Sequence, residues 1–558
     1  MKRYTLYIMT GLLALTSCED VFDTESTSVV MDNGQRIEHP ADSLYSAMGI
    51  LSQMQRLGER YVLLGELRGD LMEATPEADK DLQDVANFTA GTDNPYADRR
   101  DYYSVINNCN FALERIDTSL VDYQTKVMLP EYVAIRALRD WTFWQMALTF
   151  GKVRYIRQPL LSLESTLAAY PEKNIDEMAQ ILIDDLTPYL GTRALDYGSV
   201  DGIPTSSLFV PLPLFLADLH LYLNHYAEAA QLYYDYIYPR HLTVTEGYSN
   251  DWNNNTRTEA SMNHWGCYTG EMLFQMAYSS DAREYHPSLI RLAYNAEPSI
   301  VPAPSFVEDM SKRTYFFTPM NGQTVGAYFQ NDLRGQAVNR SGRNLPAAYG
   351  TLSLNGQDLL LIHKYNYAQT TNSSGYDPEN EANPVLNFTR QIPLVRTPHV
   401  YLRLAEALNR LGKPSMAFAV LKHGLTDETL TDSLKVPTHE LASGEPFLNF
   451  SWAHRNGDYR NVGTARRGLG RGVSYDKEVF VIGEQPTLDD SVRVVEEMIL
   501  EEMAAETAFE GNRFFDLLRI SRHRNEWPAF AAGRVSRRFS DAEAARTRLL
   551  DESLWWLP

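Results

Sequence analysis

Three glutamates near the end of the chain have a spacing that could support chemistry. Glu502, Glu506 and Glu510 recur every four residues and therefore lie on one face of a helix. Paired carboxylates can act as acid and base in glycoside hydrolysis. Carboxylates at this spacing, with Arg513 and Arg519 close behind, are more typical of paired charges. The pattern predicts an ion-pair network that fastens the C-terminal helices to the body.

The sequence contains none of the short motifs that indicate catalysis by themselves. It lacks HExxH, a phosphate loop with GK[ST] and the GxSxG of a nucleophile elbow. His220 and His225 are five residues apart within a helix predicted over 208–226, a poor spacing for a shared metal face. We predict no catalytic residue, no metal and no cofactor. A surface glycoside hydrolase stays open as an alternative, because acids are numerous and no pair stands out.

The composition restricts the class of ligand. The 72 acidic and 51 basic residues give a net charge of −21, which repels a phosphate backbone and excludes nucleic acid as an expected partner. The chain has 33 tyrosines, each with a flat apolar face and a hydroxyl. Such rings stack on sugars or peptides, although we expect most of them to pack helices together.

The N-terminus is organised like a lipoprotein export signal. Lys2 and Arg3 precede an apolar stretch at 5–15, which is shorter than the roughly 20 residues of a spanning helix. Residues 15–18 (LTSC) resemble the bacterial lipobox, which implies removal of 1–17 and lipidation of Cys18. The acidic residues that follow resemble the surface-export signal of Bacteroidetes lipoproteins. The expected location is the outer membrane, with the chain lipid-anchored and facing outward.

Cys109 and Cys267 are the remaining cysteines. Two cysteines are too few for a disulfide framework or a zinc site. They can pair with each other in an oxidising compartment. Because Cys109 lies in a helix predicted over 101–116, we expect it to be a buried free thiol.

Periodicity divides the mature chain into four parts. Residues 18–40 are polar and are predicted to be a tether. A helical part is predicted over 41–240, where helices at 208–226 and 226–238 meet through small residues such as Ala227, Ala229 and Ala230. An irregular insert with loops and short strands follows at 241–392, and helices return over 393–558. The fold class is mainly α, built from tetratricopeptide-like helical hairpins.

Four segments together make the chain similar to the SusD/RagB family. The first is 393–424, and the second, the most specific, is 499–519 (ILEEMAAETAFEGNRFFDLLR). The others are Arg136-Ala137 with Phe150-Gly151, and 176–190. Matching residues are Arg396, Tyr401, Leu402, Ala405, Glu406, Ala407, Asn409, Gly412, Ala417 and Leu421 in the first, and Glu502, Glu506, Phe509, Glu510, Gly511, Arg513, Phe514, Phe515, Asp516, Leu517 and Arg519 in the second. Met503 departs from the family's usual arginine.

The resemblance implies a binding protein that performs no catalysis. It implies a lipoprotein that captures a glycan and delivers it to a SusC-like TonB-dependent transporter in the outer membrane. A peptide ligand, as in the RagB branch, stays open as an alternative. Aromatic platforms suit sugar rings, and amides, carboxylates and arginines suit their hydroxyls.

The resemblance also suggests where the ligand binds. Family contacts come from the loop before the helix that starts near Asp101, and from the insert. The loop gives Asn94 and Tyr96, and the insert gives Trp265 and Tyr268. Arg68 and Asp70, in the segment 64–70, are predicted to face the same cleft and complete the ligand site. An internal salt bridge is the alternative for Arg68 and Asp70. Each aromatic residue in this set is predicted to stack on the ligand.

Overall fold

The structure, a computed structural model, describes most of the chain after the predicted tether. The described residues are 40–200, 202–245, 271–279, 284–317, 327–330, 332, 334–335, 337–338, 344–345, 348–354, 357–365, 391–468, 473–474 and 480–558. The predicted signal peptide, Cys18 and Cys267 lie outside these ranges.

Helices dominate the first half of the described chain. They are α1 (Pro40–Leu67), α2 (Lys80–Ala86), α3 (Arg100–Arg115), α4 (Leu129–Phe150), α5 (Leu163–Leu167), α6 (Ile175–Leu186), α7 (Leu212–Tyr222), α8 (Tyr226–Ile237), α9 (Leu289–Ala293) and α10 (Pro304–Lys312). The helix predicted at 208–226 is shorter than expected. Pro211 and Pro213 place its start at Leu212, because proline is favoured only in the first turn.

Helices also form most of the C-terminal part. They are α11 (Thr397–Arg410), α12 (Pro414–Lys422), α13 (Asp427–Leu430), α14 (Thr438–Leu441), α15 (Leu488–Thr507), α16 (Arg513–His523), α17 (Ala529–Val535) and α18 (Ala542–Arg548). Local signals explain several ends. Gly151 ends α4 at a φ of 72°, and the Thr487 hydroxyl accepts the Asp490 N–H at 3.1 Å to begin α15.

Successive helices pack as hairpins. The pairs α3 with α4, α7 with α8, and α11 with α12 each share a long interface. Ala229 and Ala230 of α8 are fully buried, so the backbones approach closely where the helices cross. Cys109 is a buried free thiol in α3, as predicted. The mainly α fold with paired helices is confirmed.

The strands are short and form small antiparallel sheets. They are β1 (Met72–Ala74), β2 (Val121–Asp122), β3 (Thr125–Lys126), β4 (Lys152–Arg154), β5 (Glu172–Asn174), β6 (Ser199–Val200), β7 (Ile203–Pro204), β8 (Met272–Ala277), β9 (Ile300–Pro302), β10 (Thr314–Phe317), β11 (Ala327–Gln330), β12 (Ala337–Val338), β13 (Asn344–Leu345), β14 (Tyr349–Leu354), β15 (Gln357–Ile362), β16 (Gln391–Arg396) and β17 (Val473–Ser474). The β8–β16 pair, with Ile392 opposite Met276, joins the start of the insert to its end. The predicted division at 41–240, 241–392 and 393–558 stays a prediction.

Helix α1 lies at the centre of the fold. It packs against α3, α4, α16 and β8. The end of the chain closes on the same region. There, fully buried Trp555 stacks on Phe514 of α16 with ring centroids 5.9 Å apart. The apolar core is therefore shared between the first and last helices.

A buried ion-pair network joins the insert to α15. Arg334 contacts Glu502 at 2.6 Å, and Arg396 contacts Glu510 at 2.7 Å. The carboxylate of Glu506 contacts Arg334 at 3.0 Å and Arg396 at 3.1 Å. All five side chains are at most 1% exposed. We call this set, together with the residues named next, the glutamate network.

Four further charged residues belong to the glutamate network. Arg467 lies 2.6 Å from Glu271 and 3.1 Å from Glu506. Asp332 pairs with Arg334 at 2.7 Å, and Lys364 pairs with Glu510 at 2.6 Å. The network predicted from the glutamate spacing is therefore present, although its predicted partners were wrong.

The arginines that follow the glutamates in sequence serve other carboxylates. Arg513 pairs with Asp70 at 2.5 Å, and Arg519 pairs with Glu406 at 2.8 Å. The physical reason is the break between α15 and α16 at Gly511, which has a φ of 87°. This turn directs the later arginines away from the glutamate face.

We expect acid to destabilise the fold through this network. Burial alone raises the pKa of Glu506, but Arg467, Arg396 and Arg334 outweigh burial and hold this pKa at about 2, below the ordinary 4.5. A folded-state pKa below the unfolded one adds stability that is complete above pH 4.5 and is lost as the pH falls to about 2. Urea unfolding across this window should show a falling free energy of unfolding.

The substitution Glu506→Gln isolates this contribution. It leaves three buried arginines short of one carboxylate, which should cost about 3–5 kcal/mol at neutral pH and reduce the acid dependence. Glu308→Gln is the matched control, because Glu308 is exposed and pairs with exposed Lys312 at 2.5 Å. An acid dependence equal to that of the native chain in Glu506→Gln would contradict this role.

Candidate functional site

A group of tyrosines and charged residues lies on one side of α1. Tyr96 comes from the loop before α3, and Tyr285 comes from the segment before α9. Their charged neighbours are Glu59 and Arg60 of α1 and Asp101 of α3. We call these five residues the tyrosine surface.

Asn94 sets the position of Tyr96. Its side-chain oxygen accepts the Tyr96 N–H at 2.9 Å, and its amide donates to the Asp81 carbonyl at 3.0 Å. These bonds cap a single 3₁₀ turn, Pro95–Ala97. Asn94 is 4% exposed and has both ends of its amide engaged, so it positions the loop and is not open to a ligand.

Arg60 joins this loop to two helices. Its guanidinium donates to the Pro95 carbonyl, lies 3.6 Å from the Asp101 carboxylate and covers the ring of Tyr102 at 5.5 Å from the centroid. The Asp101 side chain is 44% exposed, so one of its faces is open to a ligand. The loop is therefore held rigidly while a carboxylate stays accessible.

Glu59 holds the segment that carries Tyr285. The Ser288 backbone N–H donates to the Glu59 carboxylate. Burial raises the pKa of Glu59, although the Ser288 N–H partly opposes the shift. The Tyr285 ring lies 6.3 Å from that of Tyr278 and is 41% exposed. One face of a fixed aromatic ring is thus presented to solvent.

Electrostatics keep both tyrosine hydroxyls protonated. Burial raises the pKa of Tyr285 to about 12, with further increases from Glu59 and Asp101. Burial, followed by the charge of Glu59, raises the pKa of Tyr96 well above its ordinary value. Because a neutral phenol both donates and accepts hydrogen bonds, the surface combines flat rings with hydroxyl-recognising groups.

A pocket of about 330 Å³ lies beside the tyrosine surface, between α1 and β8. Its walls are mostly apolar, with polar groups from Ser52, Gln55, Gln275, Tyr278 and Glu284. Gln275 is 3% exposed and donates to the Ser207 hydroxyl at 2.8 Å. Its side-chain oxygen has no partner among the described residues. A buried acceptor of this kind can take a hydrogen bond from a hydroxyl group.

Arg68 does not face this site, contrary to the prediction. It is 1% exposed and donates to the Trp555 carbonyl at 3.0 Å and the Leu64 carbonyl at 2.9 Å. Its guanidinium also covers Phe514 at 4.0 Å. All these partners belong to the core around the C-terminal end, so Arg68 is structural.

Asp70 forms the internal salt bridge that was kept as its alternative. Arg513 donates to both of its carboxylate oxygens, at 2.5 and 3.0 Å. Burial raises the pKa of Asp70, but Arg513 outweighs burial and leaves the pKa below its ordinary value. The Arg513 contact occupies both oxygens, so the ligand prediction for Asp70 is wrong.

The other predicted residues have different outcomes. Tyr96 is half-buried at the tyrosine surface, and its ligand role stays a prediction. Trp265 and Tyr268 lie outside the described residues. Sequence reasoning missed Glu59, Arg60 and Tyr285. Tyr285 had a weak signal, an aromatic residue within a polar stretch of the insert, whereas the two charges of α1 had none.

Two other kinds of site are absent from the described residues. No three His, Cys, Asp or Glu side chains in this part of the chain converge as metal ligands. None of the described helices combines the length and the apolar character needed to cross a membrane.

Gly58 allows the tyrosine surface to assemble, and its replacement should be costly. A Cβ at this position would meet the Tyr278 hydroxyl oxygen at 2.1 Å and the Ile392 Cδ1 at 2.9 Å. Gly58→Ala should therefore lower the free energy of unfolding by about 1–3 kcal/mol and displace Tyr278. Urea unfolding gives the first quantity, and tyrosine NMR shifts report the second.

Gly49 of the same helix provides the matched control. It is exposed, and nothing lies within 4 Å of a Cβ added there. Gly49→Ala should raise the free energy of unfolding by about 0.5–1 kcal/mol, because alanine favours the helix. Equal effects of the two substitutions would contradict the close approach at Gly58.

Comparisons with known proteins identify the fold. By sequence, the chain matches no protein-family model and no curated protein. By structure, it is similar to a SusD superfamily protein from Bacteroides thetaiotaomicron VPI-5482, with 16% identity, a TM-score of 0.56, and coverage of 94% of this chain and 96% of that one.

Two more solved structures carry ligand descriptions. A SusD-like carbohydrate-binding protein from Bacteroides fragilis NCTC 9343 has 14% identity and a TM-score of 0.55, over 88% of this chain and 87% of that one. A laminarin-binding SusD-like protein has 16% identity and a TM-score of 0.50, over 92% and 98%. At these identities the likeness concerns the fold alone. The chain has the SusD-like fold, and the fold that the sequence resemblance implied is confirmed.

Proposed function

We propose that this chain, which has the SusD-like fold, is a cell-surface lipoprotein that captures a glycan for a SusC-like TonB-dependent transporter. The observation that carries the proposal is the tyrosine surface on this fold. It combines the exposed Tyr285 ring, the half-buried Tyr96 ring and the accessible Asp101 carboxylate. Aromatic faces stack on sugar rings, and carboxylates accept hydrogen bonds from hydroxyls.

The proposed ligand is a neutral oligosaccharide or polysaccharide. The pocket beside the tyrosine surface adds apolar walls and the Gln275 oxygen, which has no partner among the described residues. This combination suits a polyol with apolar ring faces. Two of the similar folds are described as carbohydrate-binding and laminarin-binding. A peptide ligand is the alternative outcome of the binding experiment.

We further propose binding without cleavage. The three glutamates that suggested acid–base chemistry are each at most 1% exposed and contact arginines of the glutamate network. A carboxylate that is buried and saturated by arginines has no access to a glycosidic bond. Support also comes from similar folds that are described as sugar-binding proteins.

The proposed location rests on the N-terminal sequence. Cys18 follows an apolar stretch and a lipobox-like motif, which suit a lipid anchor in the outer membrane. An anchored binding protein can then present its ligand to a transporter in the same membrane.

Substitution of Tyr285 tests the glycan site. The experiment titrates the soluble chain beginning after Cys18 against laminarin, other neutral polysaccharides and peptide mixtures by calorimetry. We expect saturable heat with one polysaccharide and no products afterwards. Tyr285→Ala and Tyr96→Ala should each weaken binding about five- to tenfold, the loss of roughly one aromatic contact.

Tyr123→Ala is the matched control, since Tyr123 is 95% exposed in the β2–β3 turn and should not affect binding. Unchanged affinity in both Tyr285→Ala and Tyr96→Ala would show that the tyrosine surface is not the glycan site. Heat with peptides alone would assign the chain to a RagB-like role, and sugar products would make it a hydrolase.

Substitution of Cys18 tests the anchor and the partner. In cells fed a labelled fatty acid, the native chain should carry label and recover a TonB-dependent transporter when captured from membranes. Cys18→Ala should lose the label, because no thiol remains for the lipid, whereas Cys267→Ala should keep it. Label on Cys18→Ala, or capture without a transporter, would argue against this part of the proposal.

A further inference from the structure

The turn between α7 and α8 brings two histidines together. Helix α7 ends at Tyr222, and Asn224 has a φ of 66°. The His225 N–H donates to the His220 carbonyl at 2.9 Å, and the Asn224 N–H donates to the Leu221 carbonyl at 3.2 Å. This pair of bonds is the Schellman motif, in which the side chains at the positions of His220 and His225 meet.

On sequence grounds, the five-residue spacing of His220 and His225 is expected to be poor for a shared metal, and this turn makes that expectation wrong. Five residues apart on one continuous helix, His220 and His225 would point in different directions. Because the left-handed residue Asn224 interrupts the helix between them, the Nδ1 atoms lie only 3.2 Å apart. The ring centroids are 5.4 Å apart, so the rings converge through their nitrogens.

This nitrogen separation matches a chelating pair. A tetrahedral zinc ion with Zn–N bonds of about 2.0–2.1 Å separates two nitrogen ligands by about 3.3–3.4 Å. A single ion can therefore bind both Nδ1 atoms with little movement of either ring. His225 is exposed and His220 half-buried, so the ion has a path from solvent.

The surrounding charges favour a bound cation. The Glu228 carboxylate interacts electrostatically with His220, and a negative charge close to the pair favours a bound cation. An N–H···N hydrogen bond between the rings is the competing explanation for the short distance.

We propose that His220 and His225 form a two-histidine site for a divalent transition-metal ion of the zinc, copper or nickel class. Imidazole suits these metals, and water molecules complete the coordination. The site is separate from the tyrosine surface, and it goes beyond the proposed glycan capture. Neither proposal depends on the other.

The test titrates the full chain, freed of metal by a chelator, with Zn²⁺ by calorimetry and with Cu²⁺ by visible absorption. We expect one site whose affinity falls at least about tenfold in His220→Gln and in His225→Gln, because each substitution converts a two-point site into a one-point site. His439→Gln is the matched control, since His439 is also exposed but contacts no other histidine in the described part of the chain, and it should bind like the native chain.

A second measurement, the effect of Zn²⁺ on the Tm of each folded variant, separates loss of metal binding from loss of folding. Zn²⁺ should raise the Tm of the native chain and of His439→Gln, and should leave the Tm of His225→Gln unchanged. Native affinity in both site variants, or no saturable binding by the native chain, would overturn the proposal. In that case the hydrogen bond alone explains the histidine pair.

Discussion

Burying the carboxylates of α15 is the constraint on which the rest of the structure depends. Moving several carboxylates out of water costs several kcal/mol each unless cations meet them at close range. Arg334, Arg396 and Arg467 supply that charge, and they come from the insert, the end of β16 and the segment after α14. Because separate parts of the chain must converge to neutralise one helix face, the glutamate network sets the arrangement of the described insert.

The arrangement of the insert also helps to position the tyrosine surface. Glu271 of the glutamate network immediately precedes β8, and β8 leads into Tyr278. Three consecutive residues of α1 then contact the surrounding segments. Gly58 admits Tyr278, Glu59 binds the segment of Tyr285, and Arg60 holds the loop of Tyr96. The proposed binding surface, made from three distant segments, is thus built on one rigid helix, an arrangement that would lower the entropy lost on binding.

The two proposed binding sites depend on contacts of different range along the chain. The tyrosine surface needs long-range packing, since its residues come from α1, the loop before α3 and the insert. The pair formed by His220 and His225 needs only one helix-ending turn, which a left-handed Asn224 completes. Loss of tertiary packing should therefore affect the first site far more than the second.

The sequence by itself determined what local patterns control. Helical periodicity located α3 and α8, and the four-residue glutamate spacing indicated an ion-pair role. Only the tertiary structure decided which arginines pair with those glutamates, that Arg68 is buried, and that Tyr285 joins Tyr96. These outcomes depend on contacts between residues more than a hundred positions apart, such as Arg396 with Glu510. A local pattern carries no information about such a partner, because either charge alone is compatible with many pairings.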